Sequence, residues 1–144
     1  MKLHIINGPN LNLLGTREVD IYGSESFESY LDYLRKQYPH IELSYFQSNI
    51  EGAIIDNLQA YSTQCDGIII NPAGYSHTSV AIADAIAAIL APCVEVHISN
   101  IYAREEFRHT SYTAAKCCAV ISGAQLQGYE LALLHLQALK SKKV

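Results

Sequence analysis

The segment VEVHIS, residues 94–99, combines a carboxylate and an imidazole in a pattern that suits acid/base chemistry. Strand periodicity places Glu95 and His97 on one face of a segment whose other residues are apolar. Because a buried charge is costly unless it is paired, we expect Glu95 to accept a hydrogen bond from one ring nitrogen of His97. The other nitrogen would then be oriented for proton transfer. The alternative is an internal pair with a structural role only.

A second candidate pair lies in LLGTREVDIYG, residues 13–23. Gly15 and Gly23 bracket this stretch, and no period of 2 or 3.6 runs through it, which predicts a loop without a packed element. It nevertheless carries the ionisable side chains of Arg17 and Tyr22. The structural interpretation of this pair is a solvated arginine and a half-buried anchoring tyrosine.

The segment NPAGYSHTS, residues 71–79, is a candidate site for an anionic ligand. It places Asn71 at the end of a predicted strand and His77 near the start of a predicted helix, where backbone N–H groups favour an anion such as a carboxylate. Alternatively, Asn71 and Ser76 only shape the turn and cap the helix.

The segment AREEFRHTS, residues 103–111, carries two arginines four residues apart. If it is helical, Arg104 and Arg108 share a face and could hold a carboxylate or support the loop. Solvated surface is the alternative, and we interpret His109 as surface.

Five short apolar runs predict buried parallel strands, and each is separated from the next by enough residues for a helix. These runs are KLHIIN, IELSYF, GIIIN, CVEVHIS and CCAVIS. The alternation predicts an α/β fold over residues 1–144 as a single domain: a flavodoxin-like, doubly wound, five-stranded parallel sheet with strand order 2-1-3-4-5. Ligands of such sheets bind beyond the carboxyl ends of the strands, where the polar segments above lie.

Four segments have helical character. An i, i+3, i+4, i+7 pattern predicts one helix, SNIE at 48–51 forms a capping box for a second, and GYELALLHLQALK predicts a last helix with cations in its final turn. SHTSVAIADAIAAIL predicts a helix capped by Ser76 or Thr78. The residues of the first pattern are Phe27, Tyr30, Leu31 and Leu34.

Composition limits the classes of partner. A net charge of −4 disfavours nucleic acid and anionic membrane surfaces, so small molecules and further copies of the chain are the expected partners. The sequence has no signal-peptide core and no apolar run near the roughly 20 residues that span a bilayer, which predicts a cytoplasmic protein.

Several motifs of catalysis and binding are missing from the sequence. It has no G-x-G-x-x-G, G-K-[ST], G-x-S-x-G or H-E-x-x-H motif. Four cysteines without C-x-x-C spacing are interpreted as small buried hydrophobic residues, and neither a disulfide framework nor a zinc site is expected. What remains is acid/base chemistry by tyrosine, histidine and arginine, with no metal and no cofactor.

The chain resembles the type II 3-dehydroquinate dehydratases almost from end to end. The resemblance rests on INGPNLNLLGTRE, IYG, INPAGYSHTSVAIADA, EVHISN, AREEFRHTSY and GYELAL, in that order. It implies a flavodoxin-like lyase of the shikimate pathway, without metal or cofactor, that assembles as a dodecamer of trimers. The implied reaction is loss of water from 3-dehydroquinate by anti elimination through an enolate, giving 3-dehydroshikimate.

The resemblance also implies catalytic roles. Tyr22 matches the general base, with Arg17 beside it on the same mobile loop as a source of positive charge. His97 matches the general acid, oriented by Glu95. Asn10 matches the residue that holds a water against the enolate oxygen.

Further positions match contacts to the substrate. Asn71, His77 and Arg108 match substrate-binding residues, and Ile98 and Ser99 match the contacts to the substrate carboxylate. Asp84 matches a contact that a neighbouring subunit supplies. Independently of the resemblance, His77 and Asp84 lie seven residues apart in one predicted helix, roughly 10 Å along its face, which is too far for both to hold one small ligand.

The sequence departs from the family pattern at three places. Val19 replaces a common proline, NPAG replaces the commoner NPGA, and Tyr102 replaces a frequent histidine. None of these changes removes a catalytic group. Two other classes stay open: a flavin or phospho-acceptor module of the same fold, although NGPNLN is a poor phosphate loop, and a purely structural oligomer.

Overall fold

The computed structural model describes residues 1–16 and 18–142. Arg17, one member of the predicted loop pair, therefore lies outside the described residues. The strands are β1 (Lys2–Asn7), β2 (Glu42–Gln47), β3 (Gly67–Asn71), β4 (Cys93–His97) and β5 (Ala119–Ser122). The helices are α1 (Val19–Tyr22), α2 (Phe27–Gln37), α3 (Glu51–Tyr61), α4 (Val80–Ala88) and α5 (Gln127–Lys142).

The five strands form one parallel sheet in the order β2-β1-β3-β4-β5, which confirms the predicted α/β class and strand order. The register pairs Asn7 with Gln47 on one side and with Asn71 on the other. It also pairs His97 with Ser122. The polar residues that end these strands are thus brought to one edge of the sheet, where the sequence predicts the site.

The sheet is covered by helices on both faces, which is why its central strands read as continuous apolar runs. Side chains that alternate along β1 and β3 point to opposite layers. One layer packs α2 and α5 against Leu3, Ile5 and Ile69. The other packs α3 and α4 against Ile6, Ile68 and Ile70.

The predicted helices exist, but two of their predicted caps are wrong. The four apolar residues of the first pattern are all buried on α2. Ser48 accepts a bond from Ile50 N (3.0 Å) in a turn before α3, and Ile50 occupies the N-cap position without a side-chain hydrogen bond. The predicted capping box therefore does not form.

Helix α4 begins later than the sequence suggests. Residues Ala73–His77 form a 3-10 helix, so the α-helix starts at Val80. Its cap is the hydroxyl of Ser79, which accepts from Ile82 N at 2.9 Å, and neither Ser76 nor Thr78 has this role.

Two further expectations need correction. The predicted loop at residues 13–23 contains α1, a single helical turn between two glycines with positive φ. Of the cysteines, Cys93 is buried but Cys118 is exposed, so only part of the set behaves as buried hydrophobic residues. No helix within residues 1–16 and 18–142 combines the length and the apolar character needed to cross a membrane.

Candidate active site

A pocket opens at the carboxyl edge of the sheet, and most of the predicted site residues line it. The loops after β1, β3 and β4 supply its walls, and Tyr22 closes one side. The predicted residues that it brings together are Asn10, Tyr22, Asn71, His77, His97, Ile98, Ser99 and Arg108.

Glu95 and His97 form the pair that strand periodicity predicts. His97 Nε2 lies 2.6 Å from Glu95 Oε1, and the glutamate is fully buried. Because a carboxylate oxygen accepts, Nε2 carries the proton of this bond. The second ring nitrogen, Nδ1, is thereby left for chemistry in the pocket, which His97 lines.

The hydrogen bonds around Glu95 favour its ionised form. Burial by itself raises the pKa of this carboxyl group, but hydrogen bonding and charge interaction with His97 outweigh it and hold the pKa below its ordinary value. The hydroxyl of Ser111 also donates to Oε1, at 2.8 Å. An anionic glutamate that accepts from an imidazole is the arrangement that stabilises a protonated histidine.

Tyr22 meets a guanidinium at the other side of the pocket. Arg104 donates from one terminal nitrogen to the Tyr22 hydroxyl at 2.9 Å, and its central carbon lies 5.6 Å from the centre of the Tyr22 ring. The same nitrogen lies 3.4 Å from Ser99 Oγ. Arg104 thus links Tyr22 to Ser99, which also lines the pocket.

Arg104 and Arg108 do not share a continuous helix, as the i, i+4 spacing had suggested. Arg104 follows a 3-10 turn at Ile101–Ala103, and Arg108 lies in a second turn at Glu106–His109. Both side chains nevertheless line the pocket. Glu105 lies between them, accepting from Arg108 Nε at 2.7 Å and lying 3.7 Å from Arg104 Nε.

His77 faces His97 across the pocket, with ring centroids 6.1 Å apart. Its Nδ1 lies 2.8 Å from the carbonyl oxygen of Thr110, so Nδ1 is the protonated nitrogen. Burial lowers the pKa of His77, although the bond to Thr110 partly opposes this shift. His77 is therefore suited to a neutral hydrogen-bonding role.

The side chain of Asn71 shapes the turn after β3, as the structural alternative proposed. Its Oδ1 accepts from Ala73 N at 3.1 Å, and its Nδ2 donates to the Tyr129 hydroxyl at 3.0 Å. Burial raises the pKa of Tyr129, so its hydroxyl remains protonated and donates to Asn7 Oδ1 at 2.8 Å. This buried network fixes one wall of the pocket.

A close backbone approach joins the loops that follow β1 and β3. Gly8 N donates to the carbonyl oxygen of Asn71 at 2.8 Å. A Cβ atom on Gly8 would lie 2.5 Å from the carbonyl oxygen of Pro72. The neighbouring Asn10 has a left-handed backbone (φ 68°) and an exposed side chain, and its N–H donates to Asn49 Oδ1 at 3.0 Å.

Comparison with known proteins decides the family. A family model described as dehydroquinase class II matches residues 1–137. The chain belongs to the class II dehydroquinase family. A 3-dehydroquinate dehydratase from Clostridium perfringens is 51% identical over 145 residues, which cover 99% of each chain. The resemblance that the sequence motifs indicate is thus confirmed.

Two solved structures agree with this membership. The type II dehydroquinase from Butyrivibrio crossotus has a TM-score of 0.92 at 47% identity, covering 95% of this chain and 97% of that one. The type II dehydroquinase from Propionibacterium acnes has a TM-score of 0.89 at 40% identity, covering 94% of each chain. The fold of this class II dehydroquinase family member therefore matches that of its relatives throughout.

Two predicted site residues that the structure describes, Glu95 and Asp84, do not line this pocket. Glu95 lies behind His97, whereas Asp84 has, among the described residues, no contact with a pocket residue that would place it in this site. It is exposed on α4. The sequence argument placed it in one helix with His77, which is wrong because the helix begins only at Val80. Whether Asp84 serves a neighbouring pocket stays a prediction.

The sequence did not assign Arg104 to the site, although the AREEFRHTS spacing drew attention to it. Its partner, Tyr22, lies 82 positions earlier in the chain, a contact that spacing cannot indicate. Hydrophobic residues to which the sequence analysis gave no role also line the pocket, among them Leu11, Leu14 and Ile101. Within residues 1–16 and 18–142, no group of three His, Cys, Asp or Glu side chains could hold a metal ion.

Proposed function

We propose that this chain is a type II 3-dehydroquinate dehydratase of the shikimate pathway. It removes water from 3-dehydroquinate to give 3-dehydroshikimate, by anti elimination through an enolate and without metal or cofactor. The observation that carries the proposal is that Tyr22 and His97 line one pocket, each bonded to the group that its role requires, Arg104 and Glu95 respectively.

Tyr22 is the general base that removes the C2 proton next to the ketone. An ordinary tyrosine ionises near pH 10, so about one in a thousand is phenolate at pH 7. The guanidinium of Arg104, 2.9 Å from the Tyr22 hydroxyl, stabilises the phenolate. Arg17 adds positive charge from the same loop as Tyr22, as the family resemblance implies.

His97 is the general acid that protonates the departing hydroxyl. Its Nε2 is engaged by the buried Glu95, so the proton is delivered from Nδ1. The anionic glutamate stabilises the imidazolium before transfer and fixes the orientation of the ring. Base and acid come from separate elements, α1 and β4. Anti elimination places the two groups on opposite faces of the substrate.

The remaining residues bind the substrate. The Ile98 backbone and Ser99 hold the substrate carboxylate, while Asn71, His77 and Arg108 contact its other polar groups. Asn10, exposed at the mouth of the pocket, holds a water against the enolate oxygen. A fixed polar donor at that position stabilises the charge that develops in the enolate.

The active unit is a dodecamer of trimers in the cytoplasm, in which Asp84 reaches the pocket of a neighbouring subunit. The exposure of Asp84 and its separation from its own pocket support this assignment. Val80 begins the same helix and is 58% exposed, and Leu90, just after it, is 80% exposed. A neighbouring subunit packed on α4, as this assembly requires, would cover both side chains.

The direct test is to add 3-dehydroquinate and follow the ultraviolet absorbance of the conjugated enone product. We expect turnover that survives both a chelator and borohydride. Loss of activity with chelator would indicate a metal route, and loss with borohydride and substrate would indicate a Schiff base. A folded protein without turnover would contradict the proposed function itself.

A further inference from the structure

The segment at residues 110–113 contacts His77 directly and is connected to His97 through Glu95. The carbonyl oxygen of Thr110 accepts from His77 Nδ1, and the hydroxyl of Ser111 donates to Glu95 Oε1, which holds His97. The next residue, Tyr112, donates its N–H to the Ser76 carbonyl oxygen at 2.8 Å. One short segment is therefore bonded to His77 and to the glutamate that holds His97.

The hydroxyl of Ser111 has its direction of donation fixed by its partners. Glu95 Oε1 can only accept, so the single hydroxyl proton is used there. The Ser111 oxygen then accepts from Ala114 N at 3.1 Å, and it lies 3.2 Å from the hydroxyl oxygen of Thr113. Because of these contacts, the Ser111 side chain cannot rotate away from Glu95 without losing its other hydrogen bonds as well.

The bond from Ser111 matters to Glu95 because the hydrogen bonds of this carboxylate are concentrated on one of its two oxygens. Its Oε1 takes the bonds from both His97 and Ser111. Its Oε2 is buried and, among the residues that the structure describes, has no hydrogen-bond partner. Hydrogen bonding from the Thr113 side chain also lowers the pKa of Glu95. If Ser111 is removed, only Thr113 and His97 itself are left to hold the carboxylate that orients His97.

We propose that Ser111 is a positioning residue for the acid step, acting through Glu95 on His97; this inference rests on the proposed function. Ser111 does not line the pocket, so it orients the proton donor without touching the substrate. The bond from Ser111 keeps the carboxylate aligned with Nε2, and thereby keeps Nδ1 aimed at the departing hydroxyl. The backbone of the same segment gives His77 a matching support.

The test compares Ser111→Ala, Ser111→Thr and a matched control, Ser44→Ala. Like Ser111, Ser44 is partly buried, and its hydroxyl lies 2.6 Å from the ring of His4, a buried histidine outside the pocket. We expect Ser111→Ala to lower kcat about tenfold, the loss of one hydrogen bond to a charged group, with KM unchanged. Ser111→Thr, which keeps the hydroxyl, should restore most of the rate, and Ser44→Ala should leave kcat unchanged.

Two further measurements separate positioning from general stability. Exchange of the substrate C2 proton with deuterium, which depends on Tyr22, should persist in Ser111→Ala while dehydration slows. Proton NMR should show the His97 Nε2–H of the unsubstituted protein far downfield and slow to exchange with solvent, and Ser111→Ala should speed that exchange. The NMR comparison needs no substrate, so it decides the positioning role even if dehydration is absent and the proposed function fails.

Two results would overturn the inference. One is an unchanged kcat together with an unchanged Nε2–H signal in Ser111→Ala. The other is an equal loss of kcat in Ser44→Ala, which would mean that the rate follows overall stability.

Discussion

At the scale of single residues, the two proposed proton-transfer groups depend on charged partners that the chain folds against them. Tyr22 comes from a one-turn helix and Arg104 from a loop 82 residues later, yet they lie 2.9 Å apart. His97 and Glu95 come from the same strand, two residues apart. The acid and its partner were therefore predictable from strand periodicity, whereas the contact between Tyr22 and Arg104 requires the tertiary fold.

Arg104 provides the first prediction. Arg104→Ala should lower kcat by at least about tenfold, because the Tyr22 hydroxyl loses its hydrogen bond from a guanidinium. The measurement is kcat, with Arg35→Ala as control, since Arg35 pairs with Asp32 on the surface of α2. An unchanged kcat in Arg104→Ala, or an equal loss in Arg35→Ala, would contradict a role for Arg104 in the base step.

At the scale of elements, the structure differs from the sequence-based expectation mainly where helices begin. The strands were predictable because both faces of the sheet are covered and their apolar runs are continuous. The start of α4 was not predictable, because NPAGYSH forms a 3-10 turn before it. In this turn the side chains of Asn71 and Ser76 form hydrogen bonds with the backbone of Ala73. Such local side-chain bonds compete with a helix and leave little trace in propensity.

The same turn contains one of the departures from the family pattern, the alanine of NPAG. Ala73 adopts a left-handed backbone with φ 54°, a conformation that a glycine adopts without steric cost. The NPGA pattern that the family resemblance implies would place a glycine at this position. The chain therefore holds a strained alanine beside its pocket.

Gly8 provides a prediction at this scale, with Gly52 as its matched control. Gly8→Ala should destabilise the protein by about 1–3 kcal/mol and impair turnover, because the new Cβ would lie 2.5 Å from a backbone oxygen of Pro72. A Cβ on Gly52, in α3, would meet nothing within 4 Å. Gly52→Ala should therefore stabilise the helix by up to about 1 kcal/mol. Urea unfolding measures both, and equal effects would contradict the packing argument.

At the scale of the whole molecule, a buried histidine outside the pocket links stability to pH. His4 stacks on Tyr61 with ring centroids 3.5 Å apart. Its Nε2 donates to Asn57 Oδ1 at 2.7 Å, and its Nδ1 lies 2.6 Å from Ser44 Oγ. Burial lowers the pKa of His4, although the bond to Asn57 partly opposes this shift.

The stability contribution of His4 has a defined sign. Because the unfolded chain binds a proton at His4 near pH 6.5 and the folded chain binds it only at lower pH, the free energy of unfolding should fall as pH decreases below about 6.5. Urea unfolding at pH 7.5 and pH 5.5 measures this slope. His4→Gln should be less stable at pH 7.5 but lose less on acidification. An equal slope in both proteins would exclude His4 as the source.

Assembly is the other property of the whole molecule. If Asp84 serves a neighbouring pocket, then Asp84→Ala and Tyr22→Phe chains, each weakly active alone, should complement each other after joint unfolding and reassembly. Hybrid oligomers would contain some sites with both residues intact, and activity should exceed that of either parent. Confirmed hybrid oligomers without restored activity, together with an impaired Asp84→Ala, would place Asp84 in its own subunit's site.

Mass spectrometry in heavy water can follow the C2 proton of 3-dehydroquinate and so test whether Tyr22 removes it. We expect His97→Ala to incorporate deuterium at C2 without forming the enone, because Tyr22 can still remove the proton while the hydroxyl has no acid. Tyr22→Phe should bind substrate and do neither, because the ring keeps its shape and loses the proton acceptor. Deuterium exchange or dehydration by Tyr22→Phe at the rate of the unsubstituted protein would contradict the assignment of Tyr22 as base.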